Sequence, residues 1–481
     1  MSLRKKTLNG LFWVGLEKVG LHTIQLAVFI VLARLLTPED FGLVGMIMIL
    51  FSVSSTIIDG GINQAIIREK ELIRDDLETA FTINVVLGFF LYSLLYLSAP
   101  SVSEFYGDSR LTLLIRIMGL AILFKSWGLV YSAILIQKLD FKKELYLMIP
   151  AHLASGFIAI LLAFKGFGVI SLAVKFVVLE FLNAVLLFIF CSFRVSFGFD
   201  KNSLKKLIGF GFNLSVSKIL TSINSDIYKA VIGKVYSASI LGLYTQSQKI
   251  KRLISVNIIS AIQKVTYPAL AKIRDDKNKL KETYKKIVII SCLFTVPLMT
   301  ILIITADPLI PFLLGEQWRD AIPILQIIAI GGMIYNVTLI HQNLLKVLNR
   351  TDVFLKLEVI QVFNFMLALF IGVWFDIYVL LYLIVVVRYI NTIIYAFSVG
   401  HFIEYPLSEQ FKDIADIICI SILTLLIVLY LKGFLLDLQL KDIYTLVLLF
   451  SICIVLFVLN GIIFRTDKLS LIKEIVLEKR N

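Results

Sequence analysis

Apolar runs of about twenty residues recur along the chain, each closed by a short polar stretch, and a helix of that length crosses the ~30 Å of a bilayer core. The pattern predicts about fourteen spans, at 11–33, 41–59, 79–100, 111–135, 145–164, 168–191, 207–232, 240–262, 286–305, 321–344, 354–373, 377–399, 413–432 and 442–464. The connections are short; the longest are 60–78, 263–285 and 305–320. No polar stretch is long enough for a separate soluble domain. Arg4, Lys5 and Lys6 precede the first run as they would in a signal peptide. However, Glu17 and Lys18 interrupt that run, apolar sequence continues past Ala33, and no small-x-small cleavage site follows, so a retained first helix is expected.

Composition agrees: 59% of the 481 residues are hydrophobic and 17% charged, too few charges to cover a soluble surface. The net charge of +13 would suggest nucleic acid in a soluble chain. Here it orients helices, and no nucleic-acid partner is expected. With the N-terminus inside, inner segments hold about thirty Lys and Arg and outer segments about seven (Arg34, Arg110, Lys165, Lys234, Arg319, Lys432, Lys441), which places both termini in the cytoplasm. Cys191, Cys292, Cys419 and Cys453 lie in apolar runs without metal or redox spacing and read as packing residues.

A shift of 200 residues lays the first two spans on the seventh and eighth without a gap. Gly42-Leu43 falls on Gly242-Leu243, and Ile73-Arg74-Asp75-Asp76 on Ile273-Arg274-Asp275-Asp276. Six helices is an even number, so both copies enter from the same side. That predicts parallel repeats about an axis along the membrane normal, enclosing a central cavity. The expected fold is all-α integral membrane: an N-lobe at 1–200 (helices 1–6), a C-lobe at 201–405 (helices 7–12), and helices 13–14 with a cytoplasmic tail at 406–481.

A charge at the centre of a spanning helix costs roughly 2.5–3.5 kcal/mol, so intramembrane charges mark candidate sites. In helix 7, Lys218, Ser222, Ser225, Asp226 and Lys229 form one polar stripe. The repeat-equivalent face of helix 1 carries Lys18, His22 and Gln25. Two readings stand: a cavity lining, or a packing face joined by salt bridges such as Asp226 with Lys229. In helix 8, Gln246, Gln248, Lys249, Lys251 and Arg252 lie ~14–18 Å deep, beyond easy snorkelling. These cations either meet a ligand anion, diphosphate being the obvious one, or are neutralised by acids such as Asp59 or Glu358. Glu17, Asp59 and Glu180 are candidates for a coupling ion, with structural pairing as the alternative. His22 and His341 are candidates for the cavity face, and the four histidines have no metal spacing. Pro297, Pro308, Pro311 and Pro323, with Gly60-Gly61 and Gly331-Gly332, either let helices bend or let them pack closely. No nucleotide motif or phosphate-binding glycine loop is present, and the longest outer loop holds only Asp307, Glu316, Arg319 and Asp320, so neither cofactor nor covalent catalysis is expected.

Leu32-Ala33-Arg34-Leu35-Leu36-Thr37-Pro38-Glu39-Asp40-Phe41-Gly42-Leu43-Val44 resembles the first outer loop of the polysaccharide transporters. These are Wzx-type flippases of the multidrug/oligosaccharidyl-lipid/polysaccharide superfamily, and the likeness is nearest the colanic-acid and teichuronic-acid exporter branch. Leu241-Gly242-Leu243-Tyr244 through Tyr267-Pro268-Ala269-Leu270, and Thr79-Ala80-Phe81-Thr82-Ile83-Asn84, are similar to that family's eighth and third helices. The resemblance implies a bacterial inner-membrane protein that carries an undecaprenyl-diphosphate-linked oligosaccharide from the cytoplasmic to the periplasmic leaflet by alternating access. It also implies a cationic cavity, for which Lys249, Arg252, Lys251, Lys218, Lys229, Lys18 and Arg34 are the candidates; a proton or sodium ion is a candidate drive, as ion gradients often are in the family, and a polysaccharide polymerase a candidate partner. The nearest rivals are a lipid II flippase and a multidrug exporter; an exporter of cations fits an acidic cavity, against which the helix 8 cations stand. An integral-membrane polymerase or glycosyltransferase is the rival of a different class.

Overall fold

Four helices start on an aspartate whose carboxylate accepts the amide three residues on: Asp140 from Lys143, Asp200 from Ser203, Asp276 from Lys279 and Asp376 from Val379. Each satisfies a donor that a helix start leaves open and puts negative charge at the positive end of the helix dipole. The computed structural model describes residues 20–59, 61–69, 72–191, 193–436 and 442–463, with side chains described outside 208–217, 220–225, 256–265, 432–436 and 462–463.

The described residues hold sixteen α-helices and no strand: α1 Gly20–Leu35, α2 Pro38–Asp59, α3 Ile62–Arg68, α4 Arg74–Tyr106, α5 Arg110–Gln137, α6 Phe141–Phe164, α7 Val169–Phe190, α8 Lys201–Val235, α9 Ala238–Lys272, α10 Lys277–Leu314, α11 Ala321–Gly332, α12 Tyr335–Val347, α13 Thr351–Gly372, α14 Ile377–Phe402, α15 Leu407–Leu436 and α16 Asp442–Ile463. Among them are eleven segments long and apolar enough to cross a membrane, α11 and α12 together making one. The helices that fall short are informative. Within its described residues α1 is short; α8 and α9 have 35 residues each but are too polar. These three carry the polar stripes seen in the sequence. Two expectations change. Span 321–344 is broken at Met333-Ile334, directly after Gly331-Gly332. Helix α10 runs on to Leu314 through Pro308 and Pro311, held by the burial of both prolines with Ile310 and Leu314, so the outer loop is shorter than expected.

The chain divides into two compact units, Met1–Gly242 and Leu243–Asn481. The first includes α8, which packs along α2. Its core centres on Tyr131, 1% exposed, edge-on to Phe81 and stacked on Phe193. At the start of α9 the two glycines equated by the 200-residue shift make reciprocal contacts. A Cβ on Gly42 would lie 1.6 Å from the Ala238 carbonyl oxygen, and one on Gly242 1.8 Å from that of Pro38. Only glycine lets these two helix starts approach so closely.

In the second unit Tyr284, Leu344, Tyr395 and Tyr405 anchor the main core. α15 and α16 dock on α10 through Ile304, Val428, Leu449 and Cys453. The start of α15 is tied to α10 by Lys285 with Asp413 at 2.8 Å and Lys281 with Glu409 at 3.1 Å. The Tyr405 hydroxyl donates to Asp413 at 2.6 Å. Burial first, and that carboxylate second, push its phenol well above the ordinary tyrosine range.

Candidate functional site

The polar stripe of α8 is joined to carboxylates. Lys218 pairs with Asp59 at 3.7 Å, and the other oxygen of Asp59 accepts from the Asn63 amide at 2.7 Å. Lys229 pairs with Asp226, one turn away, at 2.5 Å. The side chains of Ser222 and Ser225 lie outside the described residues, as do Glu17, Lys18 and Gly60. His22 is exposed, and Arg34 is exposed in the last turn of α1. Gln25 meets His152 of α6 at 3.0 Å. Because His152 Nδ1 faces the Met148 carbonyl at 3.0 Å, it carries the proton, and Nε2 accepts from the Gln25 amide. Glu180 of α7 lies in the field of Lys125, whose ammonium donates to the Ser55 hydroxyl.

Helix α9 differs. Among the described residues no carboxylate lies within 4 Å of Lys251 or Arg252. The two acids that the sequence offered as neutralisers are engaged elsewhere: Asp59 with Lys218, and Glu358 with the Gln342 amide and the Tyr395 hydroxyl, both at 2.7 Å. The three cations do not share a face. At 100° per residue Lys249 and Arg252 lie about 60° apart and both are exposed, whereas Lys251, on another side, is half-buried. Gln248 donates to the Tyr244 hydroxyl one turn back at 2.9 Å. Gln246 is 7% exposed, and its side-chain oxygen has no partner among the described residues. Ser247 pins α9 to the start of α11, donating to the Ala321 carbonyl at 3.3 Å.

Lys251 points to the break between α11 and α12. A Cβ on Gly332 would sit 3.4 Å from Lys251 Cδ and 2.9 Å from Met299 Sδ. On the adjacent residue, a Cβ on Gly331 would sit 3.8 Å from Cδ and from a terminal nitrogen of Arg388, on α14. Two cationic stems thus lie beside the glycine pair, whose tightest neighbours are Met299 and Val385. Arg388 also reaches the Gly331 carbonyl at 3.4 Å, and its guanidinium lies 5.4 Å from the centre of the Tyr335 ring. Tyr389, beside it, donates to the Ile330 carbonyl at 3.1 Å. Carbonyls at the end of α11 are therefore met by side chains of α14, which is how a helix break is tolerated at membrane depth. In sequence Arg388 is one isolated charge in an apolar run; only packing brings it beside the glycines. His341 does not open to a cavity: it is 1% exposed and bonded through Nδ1 to the Tyr284 hydroxyl. Among the described residues no group of three His, Cys, Asp or Glu is placed to hold a metal.

An ammonium and guanidinium groups near the middle of α9 and α14, with no carboxylate beside them among the described residues, can receive an anionic group. A multi-helix bundle with such a site defines a multi-pass membrane protein of the transporter class. Within that class the chain belongs to the family described as polysaccharide biosynthesis protein, whose model matches residues 31–323. It is a Wzx-type polysaccharide transporter of the multidrug/oligosaccharidyl-lipid/polysaccharide superfamily.

Its relatives include the lipopolysaccharide biosynthesis protein WzxC of Escherichia coli K12, 26% identical over 77% of this chain and 76% of that one. The teichuronic acid biosynthesis protein TuaB of Bacillus subtilis 168 is 25% identical over 69% of each. Among solved structures, the fold matches the lipid II flippase MurJ in an inward closed conformation, with a TM-score of 0.73 and 15% identity over 94% of this chain and 98% of that one. It also matches an inward-facing multidrug resistance MATE transporter, with a TM-score of 0.59 and 17% identity over 79% of this chain and 94% of that one.

Proposed function

We propose that this protein moves an undecaprenyl-diphosphate-linked oligosaccharide repeat unit from the cytoplasmic to the periplasmic leaflet by alternating access, supplying capsule, exopolysaccharide or O-antigen synthesis. The observation that carries this reading is the state of α9: among the described residues, Lys251 and Arg252 have no carboxylate within 4 Å. A cationic drug would be repelled there, whereas a diphosphate brings the charge the site lacks. The relatives named for lipopolysaccharide and teichuronic acid biosynthesis support a sugar cargo.

In this reading α1, α8 and α9 complete fourteen spans with both termini cytoplasmic, and the reciprocal Gly42 and Gly242 contacts reflect a parallel repeat. Lys251 on one side of α9, and Lys249 with Arg252 on another, are the cations offered to the head group. Lys218, paired with Asp59, ties α8 to α2, and Lys229 is neutralised within α8 by Asp226. Asp59 and Glu180, each near a lysine, are the described carboxylates through which a proton or sodium gradient would act.

The test is reconstitution in liposomes with a fluorescent undecaprenyl-diphosphate oligosaccharide, scoring leaflet transfer with and without proton or sodium gradients. Transfer above that of protein-free vesicles, and none of organic cations, is the expected result. Transport of organic cations without lipid transfer would assign the protein to drug export instead.

A further inference from the structure

The head-group reading leaves Arg388 unused, although it stands at the same break as Lys251. Its contact with the Gly331 carbonyl is long, 3.4 Å, and occupies only one of five N–H donors. Among the described residues no carboxylate lies within 4 Å of it. Its ring neighbour, Tyr335, takes up a face of the guanidinium and leaves the in-plane donors free to turn to a ligand. The two stems lie against consecutive residues of α11, Lys251 against Gly332 and Arg388 against Gly331. Cations left without a carboxylate inside a membrane-spanning bundle are costly until an anion arrives.

We propose that Lys251 and Arg388, brought together across Gly331-Gly332, form a two-point clamp in which each cation takes one phosphate, so that Arg388 sets selectivity for a diphosphate over a monophosphate. The proposal rests on the head-group reading and adds a residue on α14 and a discrimination to it. A methyl on Gly332 would press on Met299 and one on Gly331 on Val385, while both cationic stems stay at ordinary contact distance, so the glycines let Met299 and Val385 close in beside them. The alternative role for Arg388 is as a cap on the carbonyls of α11, which would affect folding but treat both ligands alike.

The experiment uses the full chain in lipid nanodiscs and measures the Kd of farnesyl diphosphate and of farnesyl monophosphate for wild type, Arg388→Gln, Arg388→Lys and Lys251→Gln. Wild type is expected to prefer the diphosphate. Arg388→Gln is expected to weaken diphosphate binding at least about tenfold and monophosphate binding less than about threefold, so that the preference collapses. Arg388→Lys, which keeps the charge and loses the planar fork, should fall between the two. Lys251→Gln should weaken diphosphate binding by a similar factor. An unchanged preference in folded Arg388→Gln overturns the clamp while leaving the head-group reading intact; if that variant does not assemble, an unchanged preference in Arg388→Lys does the same. Wild type that binds neither probe would overturn the head-group reading itself, and the clamp with it.

Discussion

Two neighbouring helices carry the chain's most polar stretches, and the structure treats them in opposite ways. On α8, Lys218 and Lys229 each have a carboxylate, Asp59 and Asp226. On α9, Lys251 and Arg252 have none among the described residues, although both helices are equally long. Charge inside a membrane is therefore not by itself a ligand site. A carboxylate beside a charge neutralises it within the protein; a charge without one is open to a ligand anion.

The contrast is broken most severely by removing the unpaired charges. Lys251→Gln with Arg252→Gln is expected to lower leaflet transfer at least about tenfold with near-normal expression, since each charge-assisted contact contributes about that factor. Full transfer in the double variant would remove both residues from the site. The contrast can also be abolished by addition. Met299→Glu places a carboxylate beside Gly332 and makes α9 resemble α8. Transfer should fall by about fivefold while the folded protein survives, because an internal acid now competes for the cation. Transfer unchanged by that acid would mean that the α9 cations do not face the cargo.

On the paired side the effects are those of stability. Asp226 is 7% exposed, and Asp226→Asn leaves Lys229 without its partner. A loss of about 1–3 kcal/mol is expected in detergent melts, with transfer per folded molecule unchanged. Lys218→Gln should be milder, at about 1 kcal/mol or less, because both partners of its pair are more than a third exposed. A large drop in transfer per folded molecule for Lys218→Gln would move α8 from the structural to the binding side of the contrast.

The sequence showed this division only in part. Helix positions were legible because a span is a local count of apolar residues, and the 200-residue register that equated Gly42 with Gly242 was legible as a repeated string. The position of Lys251 near the middle of its helix was legible as well. Pairing was not legible, because Lys218 and Asp59 are 159 positions apart and meet only through the packing of α8 on α2. Asp226 with Lys229, spaced by one helical turn, was available from the sequence and was weighed there. Arg388 stands alone in an apolar run. Nothing in its neighbours along the chain says that it faces Gly331, and nothing in Gly331-Gly332 distinguishes a hinge from a close-packed site beside two long side chains.

The most direct measurement is the affinity of the full chain in nanodiscs for undecaprenyl diphosphate, compared between wild type, Lys251→Gln with Arg252→Gln, and Lys218→Gln with Lys229→Gln. The expected result is a loss of at least about tenfold in the α9 variant and less than about twofold in the α8 variant. Equal losses in both, or none in the α9 variant, would contradict the assignment of the anion site to α9.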